Sequence, residues 1–273
     1  MGDRLRGNRR GRASHGAGRA GKGERESWIY GRRPVIEVLL AGRRQIHELR
    51  MAATPSNRTD DELAVILDEA RRAGIAVRSV PRDDLEELTD GGNHQGVAIR
   101  TSSYPYAEFD QILETVRDDP AAIVLLLDHI EDPQNVGSLL RTADAAGVAG
   151  VVIPNDRAAS VTSAVVRASA GASEHVSVAR VVNLGRAIGE LKACECWITG
   201  LDVGEGARPY TEVDFKGRCG LVVGNEGRGL GRLIREQCDF IAELPMRGQV
   251  SSLNAGVAGA LLLYEVLRQH GVR

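Results

Sequence analysis

Residues 121–130 read AAIVLLLDHI, an apolar run that closes on an aspartate. A strand with one wet face alternates apolar and polar side chains. One that is apolar throughout needs cover on both faces, which in soluble proteins means a mostly parallel sheet between layers of helices. The following segments alternate as such a sheet requires. Helical spacing occupies 136–146, 161–169, 184–193 and 230–237, and strand character occupies 151–153, 196–201, 220–223 and 240–244. A closing helix over 254–268 is apolar on nearly all sides, so it must be buried by its own sheet or by another subunit. This order predicts an α/β fold with a parallel sheet. On physical grounds alone the sheet would be doubly wound and unknotted, because chains rarely thread.

Upstream, a smaller α/β module is expected over 27–101. A helix near 33–41 stops at Gly42 and leads to a strand at 46–51. A second helix, capped by Asp60 or Asp61, places Leu63, Ile66, Leu67 and Ala70 on one face, and a strand at 75–80 follows. A short helix opens with Pro81 in its first turn, and a strand starts at Val97. The polar stretch TSSYPYAEFD suggests a linker over 102–119, leaving 120–273 as the second domain. Ahead of both, residues 1–26 carry eight Arg or Lys against Asp3, Glu24 and Glu26, with almost no apolar residues. Such a tail is expected to be disordered and suited to phosphate backbones, although a merely solubilising role also fits.

Composition excludes other classes. No apolar stretch approaches the length of a membrane span, and the N-terminus lacks the apolar segment of a secretory signal, so a cytoplasmic protein is expected. Cys194, Cys196, Cys219 and Cys238 lack metal-ligand spacing, which predicts buried, reduced thiols and no metal. Cys194 and Cys196 would share one face of a strand.

Three stretches could carry chemistry. LVVGNEGRGLG invites a dinucleotide-binding reading, but a G-x-G-x-x-G frame starting at Gly224 needs glycine where Glu226 stands. A carboxylate there would also repel a pyrophosphate. LDHIEDPQNVGSLLRTADAAG follows the buried strand, so its loop lies where open α/β sheets bind ligands. Gln134 or Asn135 is expected to cap the next helix. Arg141, less than two turns on, has either Asp144 or a substrate phosphate as partner. In LPMRGQVSSLNAGVAGA, a polar turn with Ser251, Ser252 and Asn254 enters the apolar helix, and N-capping alone would explain it.

In order and content these three stretches resemble the motifs of the SpoU/TrmH family of RNA ribose methyltransferases. YGRRPVIEVLL and NHQGVAI resemble the substrate-binding domain ahead of the catalytic domain in bacterial 23S rRNA (guanosine-2′-O)-methyltransferases. The resemblance runs from about Trp28 to Gln269. It implies a C-terminal trefoil-knotted SPOUT methyltransferase domain with a parallel sheet, preceded by a small α/β RNA substrate-binding domain. Segments around 221–254 would thread through a loop of the chain. It further implies methyl transfer from S-adenosylmethionine to a ribose 2′-hydroxyl of 23S rRNA, by a homodimer.

Carried over residue by residue, Gly224, Leu244 and Leu253 match cofactor-holding positions. Asn135, Arg141, Glu226, Ser252 and Asn254 match the polar set around the reacting ribose. The family proposal makes Arg141 the proton acceptor. A guanidinium is a permanent cation, so phosphate clamping and alkoxide stabilisation suit it better. In the front module Arg32, Arg33, Arg43 and Arg44 are candidate phosphate contacts, with Asn93, His94 and Gln95 nearer the target. A tRNA or antibiotic-resistance rRNA methyltransferase, and a non-catalytic ribosome-assembly factor, remain as alternatives.

Overall fold

The computed structural model describes residues 27–53, 61–250 and 252–272. The basic tail, Asp60 and Ser251 lie outside the described residues.

The front module is a four-stranded sheet in the order β1-β4-β2-β3, formed by β1 (Ser27–Tyr30), β2 (Ile46–Ala52), β3 (Val77–Val80) and β4 (Val97–Thr101). β4 runs antiparallel to β1 and β2, and β3 runs parallel to β2. β1 was not expected, since Trp28–Tyr30 is too short a run to show alternation. Helices α1 (Arg32–Ala41) and α2 (Asp61–Arg72) bury Val35, Val38, Leu39, Ile66 and Ala70 against Leu49 and Ile99 of the sheet. Leu67, expected on the buried face of α2, is exposed. Helix α3 (Arg82–Leu88) starts one residue later than expected, with Pro81 as its N-cap.

Helix α4 (Phe109–Asp118) occupies most of the expected linker. Its Ile112, Leu113 and Val116 are buried in the second domain's core, so the connection shortens to residues 102–108. The large sheet is parallel throughout, in the order β7-β6-β5-β10-β8-β11-β9. Its strands are β5 (Ile123–Asp128), β6 (Gly150–Pro154), β7 (Val178–Val181), β8 (Trp197–Leu201), β9 (Ala207–Pro209), β10 (Cys219–Gly224) and β11 (Phe240–Glu243).

β5 divides its side chains between two cores. Leu125 and Leu127 meet α5 (Pro133–Ala145) and α9 (Ala255–Gln269), while Val124 and Leu126 meet α4 and α7 (Leu184–Ala193). That two-sided burial is what the apolar run at 121–130 requires. Helices α6 (Ser163–Ala168) and α8 (Arg232–Arg235) are short. Cys194 ends α7 and β8 begins only at Trp197, so Cys194 and Cys196 do not share a strand face. Helix α9 buries Gly256, Gly259, Leu262, Leu263 and Val266 but exposes Val257, Leu261 and Tyr264 on its other side.

The two modules are joined by polar groups. Arg44 donates to both carboxylate oxygens of Glu174 at 2.8 and 2.6 Å, with only 2% and 1% of these side chains exposed. Arg43 donates to the carbonyls of Glu174, Val176 and Pro105, and the Tyr104 hydroxyl donates to that of Ser173. Arg43 and Arg44 are thus committed to the domain interface, which corrects their expected role as phosphate contacts. Among the described residues no helix is long and apolar enough to cross a membrane.

Candidate active site

Three loops converge at the carboxyl ends of β5, β8, β10 and β11. After β5, Asp132 caps α5 by accepting from the Gln134 backbone, with Pro133 in the first helical position. The expected caps Gln134 and Asn135 therefore lie inside the first turn, which frees the Asn135 side chain. Asn135 is 3% exposed and donates from Nδ2 to Glu226 Oε1 at 2.7 Å. Asn254 donates to Asn135 Oδ1 at 2.7 Å and to Glu226 Oε1 at 2.8 Å, and its own Oδ1 caps α9 at Val257. Glu226 Oε1 also takes the backbone N–H of Ala255, the first residue of α9. One carboxylate oxygen thereby satisfies donors from two loops and one of the unpaired N–H groups at the start of α9.

The glycine loop that carries Glu226 is folded tightly. Asn225 accepts from Gly229 through its carbonyl and from Gly227 through its side chain, and donates to the His129 carbonyl at 3.1 Å. A Cβ at Gly224 would collide with the backbone of Gly229 and Leu230, and Gly229 holds a φ of +64°. These glycines serve close approach and turning, not a phosphate cradle. Close packing continues in α9, where a Cβ at Gly256 would lie 3.0 Å from Ser138 Oγ.

A cleft of about 590 Å3 opens on one side of Glu226. Leu201, Leu244, Leu253 and Ala258 give it apolar walls, Asp202, Glu226 and Glu243 bring carboxylates, and Ser252 sits at its margin. Glu226 also lines a smaller cleft of about 240 Å3, walled further by Ile130, Asp132, Asn135 and Asn225. Asp202 was missed by sequence reading; the strand-end position after β8 was its only signal. Its carboxylate is held by Arg235 at 2.9 Å.

The structure thus brings together Asn135, Glu226, Asn254, Ser252, Leu244 and Leu253, with Gly224 at the root of the loop. Arg141 does not join the network. It lies further along α5, exposed, with no hydrogen bond or ion pair to any described residue, so the alternative pairing with Asp144 is not made. In the front module Gln95 Oε1 accepts from the Arg32 backbone, and Arg32 and Arg33 both reach Glu62. Asn93 is exposed, but His94 is 2% exposed and accepts from the Gly96 backbone at 3.0 Å, which makes it a prop for the loop. Burial pushes the Cys196, Cys219 and Cys238 thiols up to about 12, so they are inert. Among the described residues no cluster of three or more His, Cys, Asp or Glu could hold a metal ion.

Fold and site define a class: a two-module α/β protein with a ligand cleft at the strand ends of a parallel sheet, set beside a polar triad. Residues 122–264 match the model of the SpoU rRNA Methylase family, and residues 28–107 match the RNA 2′-O ribose methyltransferase substrate binding model. The chain belongs to the SpoU family. It is 40% identical over 247 residues to YacO of Bacillus subtilis, from the TrmH family of tRNA/rRNA methyltransferases, covering 90% of this chain and 97% of YacO. A Staphylococcus saprophyticus protein of the same family is 41% identical over 242 residues, 88% of this chain and 95% of its own.

Among solved structures, the SpoU methyltransferase AviRb of Streptomyces viridochromogenes in complex with AdoMet superposes with a TM-score of 0.74 at 26% identity, covering 91% of this chain and 92% of that one. The AdoMet-bound rRNA methyltransferase of Sinorhizobium meliloti gives 0.72 at 25% identity, over 89% and 87%. The protein is an S-adenosylmethionine-dependent RNA methyltransferase of this family. The larger cleft suits that cofactor, with apolar walls for an adenosine and carboxylates for a cationic sulfonium and ammonium.

Proposed function

We propose that the protein methylates the 2′-hydroxyl of a guanosine ribose in 23S rRNA. The observation that carries this reading is Glu226 lining two clefts and tied by Asn135 and Asn254 to both flanking loops. The larger cleft takes the cofactor, with Gly224, Leu244 and Leu253 holding it, and the smaller takes the ribose. When bound, S-adenosylmethionine supplies an activated methyl group, and a neutral ribose hydroxyl must lose its proton as it attacks. Glu226, Asn254 and Ser252 orient that hydroxyl, and Asn135 fixes Glu226. Holding reactants in line in this way can contribute up to ~7–11 kcal/mol. Arg141, without a described partner, clamps a substrate phosphate and stabilises the developing alkoxide.

The same reading divides the chain into an RNA-binding module over 27–101 and a catalytic module over 120–273, to which α4 is added at the front. Arg32, Arg33, Asn93 and Gln95 face the RNA, and Glu62 yields the two arginines to phosphate. The match of the front module to a substrate-binding model supports an RNA substrate, and the likeness to the rRNA methyltransferase of Sinorhizobium meliloti favours rRNA. A trefoil knot around 221–254 would explain why glycine occupies a close approach there, where a Cβ at Gly224 would collide with the Gly229 backbone. The exposed Val257, Leu261 and Tyr264 on α9 suit a homodimer, and a monomer by light scattering would overturn that part. A cytoplasmic location goes with an rRNA substrate.

Tritiated S-adenosylmethionine, offered with separate rRNA and tRNA pools, tests the reaction. Label mapped to one 23S guanosine ribose is expected. Label confined to tRNA would replace the substrate, and label in neither would refute the activity.

A further inference from the structure

Beside the reaction centre, at the carboxyl ends of β5, β6 and β7, lies a further cleft of about 730 Å3. Its walls include His129, Arg157, Arg232, Asn183, Val182 and Leu233. Two features separate it from an ordinary surface groove. First, His129 and Arg157 hold φ angles of +57° and +53°, a conformation that non-glycine residues rarely adopt, and both line this one cleft. Histidine tolerates that backbone better than most, but an arginine there has no such excuse. Second, His129 is aligned from behind. The Asp128 carboxylate, 2% exposed, meets His129 Nδ1 at 2.5 Å through one oxygen and accepts from the Gly231 backbone at 2.7 Å through the other. The tautomer with its proton on Nδ1 donates to this carboxylate, leaving Nε2 as an acceptor.

The cleft's chemistry is mixed in a particular way. Arg157 forms no hydrogen bond or ion pair with any described residue, and Arg232 has only an exposed partner in Glu236. Asp156 is the one wall carboxylate besides the satisfied Asp128. Val182 and Leu233 present exposed apolar surface, 89% and 62% respectively. Planar cations, an oriented acceptor and apolar faces together are what a nucleotide requires: a phosphate, a hydroxyl or amine, and a base to stack. The cleft also adjoins the proposed ribose site along the chain. His129 walls the one, its neighbour Ile130 walls the other, and the His129 carbonyl accepts from Asn225 of the cofactor loop.

We infer that this cleft binds a nucleotide flanking the methylated one, with Arg157 and Arg232 on its phosphate and His129 on its sugar or base. The inference rests on the proposed RNA methylation and adds a subsite to it. The test uses full-length protein, the double variant Arg157→Ala/Arg232→Ala, and His129→Asn, which keeps a residue tolerant of positive φ. Filter binding of a labelled 23S rRNA transcript, with bulk tRNA beside it, is measured against salt, along with KM for RNA and for S-adenosylmethionine.

In the double variant RNA affinity is expected to fall at least fivefold, with a salt dependence shallower by about one to two in slope. His129→Asn should raise KM for RNA at least threefold. KM for the cofactor should stay within twofold in both, and melting by circular dichroism should match wild type. Unchanged RNA affinity and KM in both variants, or an equal rise in both KM values, overturns the subsite. Wild-type protein that binds RNA but transfers no methyl refutes the reaction while the binding comparison still decides the cleft. Binding of neither RNA by wild type overturns both.

Discussion

Removal of the Glu226 carboxylate separates its structural work from its chemical work. In Glu226→Ala, the Asn135 Nδ2 and the Ala255 N–H lose their acceptor, and the Asn254 Nδ2 keeps only Asn135 Oδ1. Asn254 is exposed and keeps a second acceptor, but Asn135 is 3% exposed and has no other acceptor among the described residues. One buried donor left unsatisfied costs ~1–3 kcal/mol. At about 2–4 °C per kcal/mol for a domain of this size, Tm falls by roughly 2–12 °C. In Glu226→Gln the amide oxygen can still accept from Asn135, and what is lost is charge assistance and the anion at the start of α9, about 0.3–1 kcal/mol. Its Tm should fall by no more than roughly 4 °C. If the charge also orients the ribose, both variants lose at least about tenfold in kcat/KM for RNA, equal to ~1.4 kcal/mol of transition-state stabilisation. The assays are calorimetric melting and tritium transfer at saturating S-adenosylmethionine. A Gln variant with wild-type turnover refutes the chemical role. An Ala variant with unchanged Tm refutes the claim that Glu226 is what satisfies Asn135.

Arg141→Lys keeps the charge and loses the planar fork. It should abolish most turnover while calorimetric binding of S-adenosylmethionine stays intact, and near wild-type methylation would remove Arg141 from the chemistry. Arg44→Ala strands the buried Glu174 carboxylate and should destabilise by ~3–5 kcal/mol in denaturant unfolding, with much of that recovered when Glu174→Leu is added to Arg44→Met. His94 is pushed below its ordinary value near 6.5 by burial, helped by the Arg82 charge. Its neutral form is favoured by folding, so that stability is full above about pH 6.5 and is lost as pH falls through the lowered value. Asparagine can accept from the same N–H two residues on without titrating, so melting curves of His94→Asn should fall less between pH 8 and 5.5 than those of wild type.

What the sequence disclosed and withheld follows from the range over which each interaction acts. β5 was legible because two-sided burial is written in its own residues. The site loops were legible because each follows a predicted strand, while the roles of Asn135, Glu226 and Asn254 came from the family resemblance. Helix α4 was legible too, though overlooked. Phe109, Ile112, Leu113 and Val116 stand at helical spacing, and only the polar lead-in before them suggested a linker. The start of α5 turned on one detail. Proline suits the first helical position, so Pro133 moves the cap back to Asp132 and releases Asn135 to meet Glu226, 91 residues away.

Arg43 and Arg44 show where such reading ends. A pair of adjacent arginines after a helix has the same local signature whether it faces RNA or a neighbouring domain. The difference is made by Glu174, 130 residues on, which sits in a 3-10 turn at Ala172–Glu174 with no periodicity of its own to announce it. Burying both charges is tolerable only because the pairing is bidentate, with Arg44 also lying 5.0 Å from the centre of the Tyr104 ring. Burial also raises the Tyr104 pKa, keeping its hydroxyl a donor to the Ser173 carbonyl. A local run of basic residues can therefore suggest an RNA partner, yet it cannot assign individual cations to that partner. Those already claimed within the fold have to be subtracted first, and Arg141 and Arg157 are among those left with no partner among the described residues.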